Sequence, residues 1–162
     1  MINVRPAIAL DAASMAHLLN AIIKEGGTTA ITSAVTGPDL ADWMAANDGQ
    51  AAWHVAVNSA EEVVGFQWIA PGADYLPKEA AEIATFVQIG QTGLGIGSKL
   101  FDATKKAAKS IGYRWINANI RADNEGGLIY YQSRGFVDYG RIEDYQLENG
   151  QTVDKILKRY DL

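Results

Sequence analysis

The chain has 162 residues, a length that fits one domain spanning 1–162. An apolar fraction of 48% and a charged fraction of 20%, with no long apolar run and no block of like charge, exclude a membrane-spanning or largely disordered chain. With no cysteine, disulfides, thiolate metal sites and a Cys-bound acyl intermediate are all excluded; a net charge of −5 argues against nucleic acid and favours a basic or amine-bearing partner.

The first residues, Met1 to Pro6, lack the basic start and apolar stretch of a secretory signal and read directly as a strand, so a cytoplasmic location is expected. Asp11 is a plausible N-cap for a helix carrying Met15, Leu18, Leu19, Ile22 and Ile23 on one face and stopping at Gly26 and Gly27. A Gly/Thr/Ser-rich loop leads to a short helix in which Leu40, Trp43 and Met44 share a face. The period then changes to alternation, giving strands around 53–57 and 63–69 joined by a turn, and a third over 81–89 after a loop punctuated by Pro71, Gly72, Asp74 and Pro77. A glycine-dense turn opens a helix with Ile96, Leu100, Ala103, Ala107 and Ile111 predicted inward and Lys99, Asp102, Lys105, Lys106 and Lys109 outward. Gly112 ends it, 115–121 reads as a strand, Asn124 caps a helix finishing at Gly135, and strands over 136–142 and 152–159 close the chain as a hairpin. The order β-α-α-β-β-β-α-β-α-β-β predicts an α+β domain with a mixed sheet, whose closing strands offer edges that a homodimer would cover.

Gln91 Thr92 Gly93 Leu94 Gly95 Ile96 Gly97 Ser98 lies where a strand hands over to a helix, a junction that aims unpaired backbone N–H groups at one spot suited to a pyrophosphate. Glycines there leave room for phosphate oxygens and permit positive φ, although a tight turn without a ligand explains them equally. A nucleotide P-loop is excluded because Lys99 follows Ser98 rather than preceding it. A dinucleotide fingerprint is excluded because Ser98 stands where its third glycine belongs.

Downstream, Asn124 is followed by Tyr131 seven residues later and by Gly135 and Phe136 four and five residues after that. Together with Val87 ending a strand ahead of Gly95 and Gly97, this pattern resembles the GNAT superfamily of acyl-CoA N-acyltransferases. Thr92 occupies the position where the family has Gln or Arg, and Gln91 lies one residue earlier. The resemblance implies a mixed, mostly antiparallel sheet of six to seven strands flanked by about four helices. Its central parallel strands, 81–89 and 115–121, would splay to admit the cofactor. It implies acetyl-CoA as co-substrate and no metal. Main-chain contacts to the pantetheine and the developing oxyanion would come from Phe86 and Val87. Thr92, Gly93, Leu94, Gly95, Ile96, Gly97 and Ser98 would hold the pyrophosphate, and Asn124 would face the cofactor, or would cap its helix and nothing more.

By the same resemblance Tyr131 would protonate the leaving sulfur; without it, a helical Tyr packs. Tyr130 is expected to face elsewhere. Glu82 is the one carboxylate on the strand beside the cofactor and would serve as a base through water, or is a solvated strand-end residue. His54 is a structural histidine or a base. The loop from Glu25 to Thr29 is where this fold builds an acceptor pocket, with Trp68, Tyr75 and Phe86 as aromatic walls, or with the tryptophans simply in the core. The implied function is acetyl transfer to a small-molecule amine: an amino acid, an amino-acid-like toxin, a polyamine or an amino sugar. Acetylation of a protein amine and a non-catalytic acyl-CoA-binding module are the alternatives, and neither nucleic acid nor membrane is an expected partner.

Overall fold

The computed structural model describes residues 1–91 and 94–162. Strand β1 (Asn3–Pro6) and a 3-10 turn (Ala9–Asp11) lead into α1 (Ala12–Glu25) and α2 (Gly37–Ala45). Strands β2 (Ala52–Val57), β3 (Val63–Pro71) and β4 (Ala80–Val87) follow, then α3 (Ile96–Ile111), β5 (Trp115–Arg121), α4 (Glu125–Ser133), β6 (Val137–Gln146) and β7 (Thr152–Asp161). The seven strands form one sheet in the order β1-β2-β3-β4-β5-β7-β6, antiparallel at every junction except β4 with β5. This is the mixed, mostly antiparallel sheet with four flanking helices that the resemblance implied, and no helix is long and apolar enough to cross a membrane among the described residues.

Helices α1 and α2 cover one face, where Met15, Leu19 and Leu40 pack on Val55, Phe66, Phe86 and the stacked Trp53 and Trp68. Helix α3 covers the other: Ile96 and Leu100 meet Ala56 and Val64, while Phe101 and Ala108 join Ile69, Ala81, Ile116 and, from α4 and the chain after it, Tyr131 and Phe136. Two expectations about helices change here. Asp11 stands at the N-cap of α1 but makes no side-chain cap bond; its carboxylate instead accepts from Arg5 at 2.8 and 2.9 Å and from the Ile8 N–H at 2.8 Å. The capping geometry appears on α2, where Thr36 and Asp39 exchange side-chain and backbone bonds. The buried face of α3 is Ile96, Leu100, Phe101, Thr104 and Ala108, rotated from the predicted seam toward the rings of Phe136 and Tyr160, and Lys105 covers the Phe101 and Tyr160 rings instead of standing free. The closing hairpin runs longer than predicted, and β6 is exposed almost throughout.

The parallel junction positions the site. Strands β4 and β5 pair only through Ala80 with Trp115, Ala81 with Ile116 and Glu82 with Asn117, and from Ile83 onward they part. The Gln88 N–H donates to the Val64 carbonyl at 2.9 Å. Strand alternation therefore turns the peptide groups of Ala84 and Phe86 to β3 and those of Ile83, Thr85 and Val87 into the gap.

Candidate active site

A cleft of about 1080 Å³ opens where β4 and β5 part. Its walls include Glu82 to Gln91 from β4 and the turn after it, Gly95 to Ser98 at the start of α3, Asn119 to Arg121 of β5, and Asn124, Tyr130, Tyr131 and Arg134 of and around α4. Of the predicted main-chain contacts, Val87 faces the gap, whereas Phe86 lines the cleft with its ring against Phe66 and Trp68 and gives its peptide groups to β3.

The glycine turn meets the cleft at Gly95, Ile96, Gly97 and Ser98; Leu94 is exposed and outside the lining, and Thr92 and Gly93 lie outside the described residues. Gly95 takes φ 76° at the N-cap of α3, and a Cβ there would meet no atom of the described residues within 4 Å, so among these the turn leaves open space over the first N–H groups of the helix. Gly97 is glycine for another reason. A Cβ on it would lie 2.5 Å from Cε1 of Tyr130, whose ring packs on it and whose hydroxyl donates to the Gly97 carbonyl at 2.7 Å. Arg134, which sequence reasoning missed, donates from Nη1 to the Ser98 hydroxyl beside this turn, and its buried Nε has no partner among the described residues. An unpaired splayed strand edge, an open helix N-terminus and a cation beside it fit a long, hydrogen-bonding ligand ending in phosphates, as acetyl-CoA is.

Tyr131 is buried, and its hydroxyl lies 2.8 Å from Thr85 Oγ1; burial, with the neighbouring Tyr130 phenol, holds its pKa well above the ordinary phenol value. Contrary to expectation, Tyr130 faces the same site: Gln67 Nε2 donates to its oxygen at 3.0 Å and to Thr85 Oγ1 at 2.8 Å, and burial pushes the Tyr130 phenol up to about 12. Asn124 does two things, accepting from the Gly127 N–H at 3.0 Å as the cap of α4 and donating to the Thr28 carbonyl at 3.1 Å.

That second bond, with Arg121 Nη1 to the Thr29 carbonyl at 3.1 Å, ties the loop after α1 across the cleft, where Glu25, Thr28, Thr29, Ala30 and Ile31 form its far wall. Glu82 faces this end and accepts at 3.3 Å from both Tyr75 and Asn117. Burial and the Glu82 charge push the Tyr75 phenol up to about 12. Lys155 of β7, also missed, lines the cleft beside Glu82 and Arg121; its Nζ sits 3.8 Å from the Tyr145 ring centre and pairs with no carboxylate among the described residues. Burial lowers its pKa, and the Glu82 charge opposes that shift. Trp68 and Phe86 are cleft walls, as expected. Tyr75 acts through its hydroxyl on Glu82 and Asn117, and His54 lies off the cleft, half-buried and held toward its neutral form by burial. No cluster of metal-ligating side chains occurs among the described residues.

The sequence profile of the acetyltransferase (GNAT) family matches residues 16–136. A Bacillus subtilis protein, YwnH, which carries a provisional phosphinothricin acetyltransferase name, is 26% identical over 153 residues, covering 92% of this chain and 93% of its own. Solved structures share the fold, among them the following two. The Salmonella typhimurium protein yncA, with its cofactor acetyl-CoA, is 18% identical with a TM-score of 0.86 and covers 99% of this chain and 94% of its own. A Sinorhizobium meliloti phosphinothricin acetyltransferase in complex with acetyl-CoA is 18% identical with a TM-score of 0.88, covering 99% and 88%.

Proposed function

The chain belongs to the acetyltransferase (GNAT) family, and from that premise we propose that it transfers the acetyl group of acetyl-CoA to the amine of a small, amino-acid-like acceptor in the cleft between β4 and β5. When bound, acetyl-CoA supplies an acetyl group on a thioester, activated toward an amine. The peptide groups of Ile83, Thr85 and Val87 would take its pantetheine arm as an added strand. The amides at the start of α3, with Arg134, would take its phosphates. Tyr131, its pKa raised by burial, carries its proton at neutral pH, as a donor to the departing sulfur must. Glu82, between Tyr75 and Asn117, would receive the ammonium of the acceptor and draw off its proton.

The observation that carries the acceptor class is Lys155, a buried cation facing the cleft with no carboxylate partner among the described residues. With Glu82 it presents two opposite charges that are not bridged to each other, which complements an acceptor bearing an amine and an acid group rather than a polyamine. The phosphinothricin name carried by similar proteins points to the same class. Acetyl-CoA-dependent release of free thiol, measured with phosphinothricin, common L-amino acids, spermidine and glucosamine, tests this. Acid-bearing amines should turn over fastest, and Lys155→Met should raise their KM roughly tenfold or more while changing kcat less. Spermidine as the best acceptor, or a Lys155→Met enzyme with unchanged KM, would overturn the acceptor class; cofactor binding without thiol release would overturn catalysis.

A further inference from the structure

Gln67 is a fully buried amide in the middle of β3, a position whose neighbours are Phe66, Trp68 and Ile69, and its Oε1 has no partner among the described residues. Its Nε2 touches Thr85 Oγ1 and the Tyr130 oxygen, and Thr85 Oγ1 touches the Tyr131 oxygen. The polarity of this chain follows from one end. The Gly97 carbonyl can only accept, so Tyr130 spends its one proton there and its oxygen must accept from Gln67. The atom of Gln67 in that contact is therefore the amide nitrogen, and the same nitrogen donates to Thr85. Thr85, having accepted, keeps one proton, and its Oγ1 lies 2.8 Å from the Tyr131 oxygen.

We propose that Gln67 and Thr85 are positioning residues for proton transfer at Tyr131: Tyr130 and the Gly97 carbonyl fix Gln67 as the donor to Thr85, and the Thr85 hydroxyl stabilises the Tyr131 oxygen once its proton has left. This rests on the reading of Tyr131 as the acid. In the balanced step the acceptor N–C bond forms and the C–S bond breaks. The sulfur takes the Tyr131 proton, Thr85 turns its own proton to the resulting phenolate, and the proton lost by the amine nitrogen replaces that of Tyr131 through solvent in the cleft. Accepting from Gln67 makes the Thr85 hydroxyl a stronger donor. In so dry a wall, Tyr131 needs such a donor to ionise at all. The chain also links the acid to the first turn of α3, through the Gly97 carbonyl.

A double-mutant cycle tests the proposal. Turnover of acetyl-CoA is followed with phosphinothricin as acceptor and with water alone, in Thr85→Val, Thr85→Ser and Gln67→Met, each in the parent and in Tyr131→Phe. Thr85→Val and Gln67→Met should each lower kcat about 10- to 100-fold with the KM for acetyl-CoA within about twofold of the parent. Thr85→Ser should restore most of kcat, and none of the three should cost anything further in Tyr131→Phe. Thr85→Val keeps the side-chain shape, so the cycle stands even if Gln67→Met fails to fold. Full kcat in Thr85→Val, or losses that add in full to that of Tyr131→Phe, would overturn the chain while leaving Tyr131 as the acid. A fully active Tyr131→Phe, or no turnover by the parent with either acceptor, would overturn the underlying reading and the chain with it.

Discussion

Replacing Gly97 with alanine sets two effects of opposite sign against each other at one atom. In a helix interior, Gly→Ala is worth about 1 kcal/mol in favour of folding, and less at the second residue of α3. Against this, the new Cβ would sit 2.5 Å from Cε1 and 3.2 Å from Cζ of Tyr130, distances at which the ring must move. Overpacking of that kind costs about 1–3 kcal/mol. Moving the ring also breaks its 2.7 Å bond to the Gly97 carbonyl and loosens the 3.0 Å bond from Gln67, a further loss of about 0.5–1.5 kcal/mol each. The net expectation is a destabilisation of about 1–5 kcal/mol, or roughly 2–20 °C in Tm for a chain of this size. Urea unfolding of the purified variant reads it directly, with m unchanged if the folded state stays compact. A Gly97→Ala protein as stable as the parent would show that the Tyr130 ring does not need this glycine.

Gly95 makes the contrast: with φ 76° and no described atom where its Cβ would stand, Gly95→Glu should fold with a loss of only about 1–2 kcal/mol from the backbone, yet abolish coenzyme A binding by calorimetry, because its carboxylate would occupy the turn proposed to take the phosphates. Asp11 should matter at acid pH. Its bonds to Arg5 hold its pKa below the ordinary carboxylate value, so its contribution is complete above the unfolded-state pKa, near 4, and is lost as pH falls through the lower folded-state value. The exposed Arg5 side chain discounts the ion pair, and Asp11→Asn should cost about 1–2 kcal/mol at neutral pH, falling toward nothing in strong acid; a constant difference across pH, followed by thermal unfolding, would contradict this.

Much of the architecture was legible because strand alternation and helical spacing were each unambiguous where one face is buried, as in Trp53 to Val57 and Met15 to Ile23. The spacing of Asn124, Tyr131, Gly135 and Phe136 located the helix beside the cleft. What it could not carry was pairing across distance. Gln67, Thr85 and Tyr130 come from three elements up to 63 residues apart, and no local pattern marks Gln67 as buried. No local pattern marks Lys155 or Arg134 either; their places follow from the sheet order, which sets β7 beside β5, and from the bond that brings the end of α4 to α3. Gly97 was read as room for phosphate, yet what fills its missing side chain is Tyr130, a residue expected to face away. The wet face assigned to Lys105 failed for a related reason, since the aromatic cluster of Phe101, Phe136 and Tyr160 forms only in three dimensions.

The central claim, acetyl transfer with Tyr131 as the proton donor, is tested most directly by thiol release from acetyl-CoA in the parent and in Tyr131→Phe, with phosphinothricin and L-amino acids as acceptors and acetyl-CoA affinity measured alongside. The account predicts turnover by the parent, a loss of roughly 10²- to 10⁴-fold in Tyr131→Phe, and acetyl-CoA affinity little changed. A Tyr131→Phe enzyme that releases thiol as fast as the parent would contradict it.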